Sequence, residues 1–410
     1  MRTIDTPDSW QRVLLGDICE ADAPIMYGIL QPGPEIADGV PYVRPTEISP
    51  DGIRLDEIKR TTPEIAAKYK RSTLKSGDLL ITIVGTLGRI AEVPEELDGA
   101  NITQSSARIR LNPNEAHAGF VRHFLKSSPL ATRQYDWHRL GTGVPRLNIH
   151  HVRELQIPLP PLSEQKRIAD ILDKADAIRR KRQQATTYRD QLIKSAFIAK
   201  FGDPATNPRS LPLRSLSDFY VNSKEGTKCG PFGGALKKSE YTSSGIAVWN
   251  MDNISVDGRL VGSPKLWVSP EKYNELSAYA VEDGDILISR AGTVGKMCVV
   301  RGRAGESLIS TNLIRLRLNP QLLPEYFVSL MVSFKGRVGR LKTGPDGAFT
   351  HMSTGVLDTL MFPYPPPAEQ TEFCQVLQHI EESARRRNHA VDTSKDLFHS
   401  LVQRAFRGEL

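Results

Sequence analysis

Between Pro161 and Gly202 the chain runs for 40 residues without a proline or a glycine. A helix built from that stretch would be roughly 60 Å long at about 1.5 Å per residue, several times the usual globular length. Pro160 and Pro161 hold the incoming chain extended. Ser163 is the predicted N-cap, and Lys166 stands where a capping-box glutamate would stand. Ile168, Ile171, Leu172, Ala175, Ile178, Ala185, Leu192 and Ala196 recur at three- and four-residue steps, which marks one apolar face. A lone rod cannot bury that face, so it needs a partner.

The partner is in the same chain. From Pro363 to the C-terminus the sequence repeats the first rod at a constant offset of 205. Pro158, Glu164, Gln165, Leu172, Arg180, Leu192, Ser195 and Phe201 fall on Pro363, Glu369, Gln370, Leu377, Arg385, Leu397, Ser400 and Phe406. The second copy has a cleaner heptad: Phe373, Leu377, Ile380, Ala384, Val391, Phe398, Leu401 and Ala405. Two long amphipathic helices with facing seams predict an intramolecular coiled-coil pair. The residues predicted to pair the helices are Ile168, Leu172, Ala175, Ile178 and Leu192 with Phe373, Leu377, Ile380, Ala384 and Phe398.

The blocks between the rods repeat too. The run from Ser76, SGDLLITIVGTLGRI, matches the run from Asp283, DGDILISRAGTVGKM, at an offset of 207. Arg108 and Arg110 fall on Arg315 and Arg317 at the same offset. The order is block, rod, block, rod, a tandem duplication and not a short-period solenoid. Each block reads as mixed α/β. Strands are predicted over Leu79–Val84, Ile286–Ile288, Ala107–Leu111 and Leu313–Leu318, with leaders near Tyr42-Val43 and Val248-Trp249. Helices are predicted over Phe120–His138, broken at Pro129, and over Glu325–Leu341. The two Arg-x-Arg strands alternate apolar and basic residues, the pattern of a half-exposed strand.

Composition narrows the function. No apolar run approaches the ~20 residues of a membrane span, and MRTIDTPDSW lacks a signal-peptide core, so a cytoplasmic protein without membrane contact is expected. Cys19, Cys229, Cys298 and Cys374 stand singly, with no metal-ligand spacing. The formal charge of +7 suits a polyanionic partner without specifying one. Gly292-Thr-Val-Gly-Lys296 lacks the glycine spacing and the Ser/Thr of a phosphate loop. No GxGxxG opens a helix, and no Ser/His/Asp or Cys/His set assembles. His150-His151 reads as a solvated loop pair. No catalytic constellation is legible.

Nucleic-acid binding fits better. A Gly-Thr-x-Gly turn followed by Arg or Lys places backbone amides, a hydroxyl and a cation together, as a phosphate contact requires. Arginine forks and amide or hydroxyl side chains can read base edges. The candidate DNA contacts are Thr86, Arg89, Gln104, Ser105, Arg108 and Thr142 in the first block. In the second they are Arg290, Thr293, Lys296, Asn312, Arg315 and Lys342. The competing reading makes the turns plain hairpin corners and the arginines a solvated face. The basic runs Arg179–Arg182 and Arg385–Arg387 are solvent face, DNA contact or partner contact. A tandem scaffold binding protein, or an enzyme with its own methyltransferase site, remains an alternative.

The Pro-Pro/Glu-Gln starts of the rods (LPPLSEQKRIADILD and PPPAEQTEFCQVL), the terminal AFRGEL and the GDLLI/GDILIS…GTxG segments resemble the specificity subunits of type I restriction-modification systems, over the whole chain. The resemblance implies an α+β fold: two mixed α/β target recognition domains (1–157 and 204–361) and two long antiparallel coiled-coil helices (158–203 and 362–410), with an internal pseudo-twofold repeat. It implies a non-catalytic subunit for sequence-specific recognition of double-stranded DNA in DNA methylation. Each domain would read half of a bipartite asymmetric site, and the helices would set the spacer. It further implies two methyltransferase subunits and a restriction endonuclease/translocase as partners. No cofactor is expected in this chain; S-adenosylmethionine and ATP with magnesium would reside on the partners.

Overall fold

A computed structural model describes residues 7, 9–140, 143–302, 305–334, 352–388 and 391–410. The chain divides into two compact units, Met1–Gln183 with His389–Leu410, and Gln184–Asn388. The sequence repeat reappears in three dimensions, because both units use one strand plan.

In the first unit a four-stranded antiparallel sheet is ordered Met26–Tyr27, Ser106–Ile109, Leu79–Thr82, Ile90–Glu92. A three-stranded sheet places Val40–Val43 between Lys59–Thr61, antiparallel, and Asn101–Ile102, parallel. Gln11–Leu14 pairs with Gln156–Leu159, so the strand that opens the block meets the strand that leads into the rod. In the second unit the larger sheet is Thr227–Cys229, Leu313–Leu316, Ile286–Ser289, Met297–Val299. Ile246–Trp249 stands between Leu266–Val268 and Ser307–Ile309, and Leu213–Ser215 pairs with Met361–Pro363.

The larger sheet has a core on each side. Leu79, Ile81, Ala107 and Ile109 pack with Phe120, Phe124, Ile168 and Phe398. Leu80, on the opposite face, packs with Val43, Ala91 and Ile102. The second unit divides the same way: Ile286, Ile288 and Ile314 face Phe197, Phe327 and Phe373, whereas Leu287 and Leu313 face Trp249 and Ile309. A sheet covered on both faces must be apolar or internally paired throughout. The half-exposed strand predicted for Arg-x-Arg is therefore corrected, since Ser106–Ile109 and Leu313–Leu316 are buried at every position.

The central helix spans Leu162–Phe201, 40 residues. Ser163 is not its N-cap: the helix has already begun at Leu162, and the Pro161 carbonyl accepts from the amides of Glu164 and Gln165 at 2.9 and 3.0 Å. What fixes the start is Gln165, 1% exposed. Its Oε1 accepts from the His117 amide at 2.8 Å, and its Nε2 donates to the carbonyls of Pro160 at 2.9 Å and Glu115 at 3.1 Å. Gln370 repeats this, accepting from the Leu323 amide at 2.9 Å and donating to Pro365 at 3.0 Å and Gln321 at 3.2 Å. The Glu-Gln signature is thus a buried bolt joining each block to its helix.

The second rod is described as Pro367–Asn388 and Val391–Ala405. In the first unit Arg167 donates to the Leu410 carbonyl at 2.6 Å, while Arg179 lies over the Phe398 ring at 5.7 Å, so the helices run antiparallel. In the second unit Lys200 meets Glu372 at 2.5 Å, Phe197 meets Phe373 with centroids 5.4 Å apart, and Ile193 shares a core with Leu377. Of the predicted pairing residues, Ile168, Leu172, Phe373, Leu377 and Phe398 are buried, and Ala175 and Ile380 are half-buried. Ile178 and Leu192 are corrected: they are 49% and 54% exposed. The seam passes instead through Ile193, Phe197 and Phe201, one helical position away from Leu192. A side chain one position off the seam turns by about 100°, enough to leave the contact. The side chain of Ala384 lies outside the described residues.

The block helices are Ala118–Ser127 and Pro129–His138, parted at Ser128-Pro129 as predicted, and Pro324–Phe334. The remainder of the second, to Leu341, lies outside the described residues.

Candidate nucleic-acid interface

Each Gly-Thr-x-Gly segment is a hairpin corner between a central strand and an edge strand of the larger sheet. In the first unit the Thr82 hydroxyl donates to the Thr86 carbonyl and accepts from the Arg89 amide at 3.0 Å, while the Gly88 amide donates to the Thr82 carbonyl at 3.0 Å. In the second the Ser289 hydroxyl donates to the Thr293 carbonyl at 2.6 Å and accepts from the Lys296 amide at 2.9 Å. Gly88 has φ +74°, and an added Cβ would stand 2.6 Å from the Tyr135 ring, so only glycine fits. These amides are occupied within the corner, and the amide of Gly85 donates to the Pro145 carbonyl at 2.9 Å. The predicted amide cradle for phosphate is thereby narrowed, because the amides of Gly85, Gly88 and Arg89 already have acceptors, and the corner also offers side chains outward. Thr86, Arg89 and Thr293 are exposed and Lys296 is half-buried. Arg89 reaches the Ile48 carbonyl at 3.3 Å and Lys296 the Met251 carbonyl at 2.7 Å.

The corner lies beside a polar turn in both units. The Ile83 amide donates to the Ser105 carbonyl at 2.9 Å, and the Arg290 amide donates to the Asn312 carbonyl at 3.0 Å, one bond repeated. It brings Thr86, Arg89, Gln104 and Ser105 together in the first unit, and Arg290, Thr293, Lys296 and Asn312 in the second. Gln104 is exposed and Ser105, Arg290 and Asn312 are half-buried. Arg290 Nη1 is buried with no hydrogen-bond partner among the described residues, and its guanidinium lies 4.6 Å from the ring centroid of Phe232. Phe232 is 54% exposed and was missed in the sequence. The one available signal was an aromatic set in Gly230-Pro-Phe-Gly-Gly234.

Arg108 and Arg315 do not belong to this face. They are 2% and 1% exposed. Arg108 donates to the Pro24 carbonyl at 2.9 Å. Arg315 donates to the Ala280 carbonyl at 2.5 Å and pairs with Glu225. Burial, and then the charge of Arg110, lower the pKa of Arg108. Both are corrected from DNA contacts to internal ties. Their neighbours are tied as well: Arg110 grips Asp78 through Nε and Nη2, both at 2.7 Å, and Arg317 grips Asp285 at 2.7 and 2.9 Å. The hydrogen bond that Arg110 donates to Asp78 raises the pKa of Arg110. The aspartate of each Gly-Asp signature is accordingly an internal anchor.

Leu140 and Arg146 flank the first corner, bridged to one another, and Val84 is bridged to Arg146. Beside them a cleft of about 200 Å³ is lined by Gly85 and Leu87 of the turn and by Thr132, Tyr135, Asp136 and Arg139, which were not singled out beforehand. Thr142 and Lys342 lie outside the described residues. His150 and His151 are not in a loop: they sit on the helix Ile149–Arg153, and His151 stacks on His138 with centroids 4.5 Å apart. On the central helix Arg179 and Arg180 share Asp176, each at 2.7 Å, so one of their two charges is offset within the helix. The side chains of Arg385–Arg387 lie outside the described residues. Among the described residues no helix is long and apolar enough to cross a membrane.

Residues 7–187 match the family described as the type I restriction modification DNA specificity domain. The chain is 29% identical to the type I restriction enzyme EcoBI specificity subunit of Escherichia coli, over 48% of this chain and 42% of that one. It is 21% identical to the type I restriction enzyme MjaVIII specificity subunit of Methanocaldococcus jannaschii, over 98% of this chain and 94% of that one. The crystal structure of a type I restriction-modification S subunit from M. genitalium superposes with a TM-score of 0.54 at 15% identity, covering 97% of this chain and 96% of that one, and so shares the fold. With the duplicated strand plan and paired helices already in view, these likenesses agree: residues 7–187 match the specificity-domain family, and nearly the whole chain resembles type I restriction enzyme specificity subunits.

Proposed function

We propose that this chain is the DNA sequence-specificity subunit of a type I restriction-modification complex, each unit reading one half of a bipartite asymmetric site. The observation that carries this is the repeated bond from Ile83 to Ser105 and from Arg290 to Asn312. It sets one backbone frame twice and fills it with different side chains: Thr86, Arg89, Gln104 and Ser105 against Arg290, Thr293, Lys296 and Asn312. Hydroxyl, amide and guanidinium groups are the ones that discriminate base edges in a major groove. One scaffold carrying two unlike sets suits two unlike half-sites. Residues 1–157 and 204–361 serve as the recognition domains, and the helices 158–203 and 362–410 set the spacer.

Two methyltransferase subunits supply S-adenosylmethionine chemistry, a translocating endonuclease supplies ATP and magnesium, and this chain works with them in the cytoplasm as a non-catalytic reader. Exposed apolar side chains on the central helix support docking. Ile178 is 49% exposed in the first unit, and Tyr188 and Leu192 are 67% and 54% exposed in the second. Tyr188 and Leu192 stand four residues apart and so adjoin on one face of the helix.

The test is to map methylated positions in DNA from cells expressing this chain with its methyltransferase partner. A gapped motif with two unlike halves is expected, and a heptad inserted into both rods should lengthen the gap while preserving both halves. Methylation without sequence preference, or within one contiguous motif, would overturn the reading.

A further inference from the structure

A groove of about 610 Å³ opens in the first unit beside the edge strand of the larger sheet, lined by Tyr27, Lys68, Tyr69, Lys70 and Arg71. Lys68, Lys70 and Arg71 are exposed, and none of them pairs with a carboxylate among the described residues. Arg44, Arg54, Lys59, Arg110 and Arg122 of the same unit, by contrast, hold acidic partners. Two tyrosines stand among the three cations, and Tyr27 is 43% exposed. The groove's edge strand continues toward the reading face: Gly28 and Ile29 bond to Thr103 and Ile102, and the Gln104 amide donates to the Ile29 carbonyl at 2.9 Å.

The second unit has the same local backbone without the charge. The helix Pro63–Lys68 and the turn Lys70–Ser72 correspond to Pro270–Glu275 and Ser277–Tyr279, with Thr62 and Ser269 as matching N-caps. At the offset of 207, Lys68, Tyr69, Lys70 and Arg71 become Glu275, Leu276, Ser277 and Ala278. Three cations in one unit stand against a single carboxylate in the other.

We infer that this groove binds the sugar-phosphate backbone of DNA flanking the half-site read by the first unit, and that the second unit has no equivalent grip. The inference rests on the proposed reading of DNA and adds where its electrostatic affinity resides. Unpaired cations bind duplex phosphates through counterion release, at about 0.9 in the logarithmic salt slope per phosphate. They position the protein without selecting sequence.

The experiment uses the full chain with its methyltransferase partner and a duplex carrying the mapped motif, titrated between 50 and 200 mM salt. The variant K68Q/K70Q/R71Q, all exposed side chains, should lower the salt slope by about 2.7, equivalent to roughly 40-fold less loss of affinity across that range. The methylated motif should stay the same. The reciprocal variant E275K/S277K/A278R should steepen the slope. If the wild-type complex binds its motif and K68Q/K70Q/R71Q leaves the slope within about half a unit of wild type, the inference falls while the proposed function stands. If the wild-type complex shows no motif preference, the proposed function falls first. A variant that changes the motif would also overturn the inference, because the groove would then be reading bases.

Discussion

The buried aspartate of the Gly-Asp signature offers a quantitative test of how each unit is held together. Asp78 is 3% exposed and accepts three hydrogen bonds: two from Arg110 at 2.7 Å and one from the Lys75 amide at 2.8 Å. Replacing it by alanine leaves the Arg110 guanidinium with the Thr73 carbonyl at 3.2 Å and little else. Breaking a buried pair from one side costs about 3–5 kcal/mol. The Arg110 side chain is 14% exposed and can turn partly to water, which places D78A near the lower end, about 3 kcal/mol. The equivalent change in the second unit should cost less. There Arg317 retains a second carboxylate, Glu282 at 2.7 Å, so D285A is expected near 2 kcal/mol. Hydrogen exchange read strand by strand separates the two. D78A should speed exchange in Leu79–Thr82 and Ser106–Ile109 by roughly a hundredfold, leaving Ile286–Ser289 and Leu313–Leu316 unchanged. Adding R110M to D78A removes the stranded charge and should restore part of the loss, the signature of a coupled pair. A D78A cost below about 1 kcal/mol, or D285A the costlier of the two, would refute the reasoning.

Two further outcomes follow from buried polar contacts. Gln370→Leu is expected to destabilise the second unit by about 2–3 kcal/mol, since it leaves the Leu323 amide without its acceptor; a thermal melt checks it, and a change below about 0.5 kcal/mol would remove the bolt role. Asp257 tests pH: burial works to raise its carboxyl, yet hydrogen bonds from Ser255 and Arg189 and the charge of Arg259 outweigh it and hold it at about 2, against an ordinary 3.8. A folded pKa below the unfolded one means stability that is full above about pH 4 and lost as pH falls toward 2. Denaturant unfolding of D257N should therefore show a deficit of about 2 kcal/mol at pH 6 that shrinks by pH 3; a pH-independent deficit would contradict the assignment.

The sequence made the duplication, the strand plan and the rods legible because those signals are one-dimensional: a fixed offset, a run free of proline and glycine, apolar residues at helical steps. It misled wherever the answer depended on what covers a face. Arg108 and Arg315 alternate with apolar neighbours as surface arginines do, and nothing local shows that a second sheet closes over them. Ile178 and Leu192 fit a heptad counted from Ile168, but the seam that forms runs through Ile193, Phe197 and Phe201, chosen by the aromatic cluster around Phe373 and Tyr326. Gln165 and Gln370 were visible as a repeated motif without a reason, because their three partners lie 5 to 50 residues away in the chain.

The repeated contacts and the divergent ones also separate by depth, which bears on how one scaffold can come to read two sequences. The aspartate–arginine anchors, the buried glutamines and the hydroxyl-capped corners recur in both units with the same partners. Each is worth a few kcal/mol to its unit, comparable with the whole margin of a folded domain, so none can change freely. The groups that differ, such as Gln104 and Ser105 against Thr311 and Asn312, project from backbone already fixed by those contacts, where substitutions typically cost within about 0.5 kcal/mol. Holding the frame by buried polar bonds, and not by the side chains proposed to read DNA, leaves the surface free to vary. A frame stabilised by its own DNA-facing residues would tie every change of sequence preference to a change of fold.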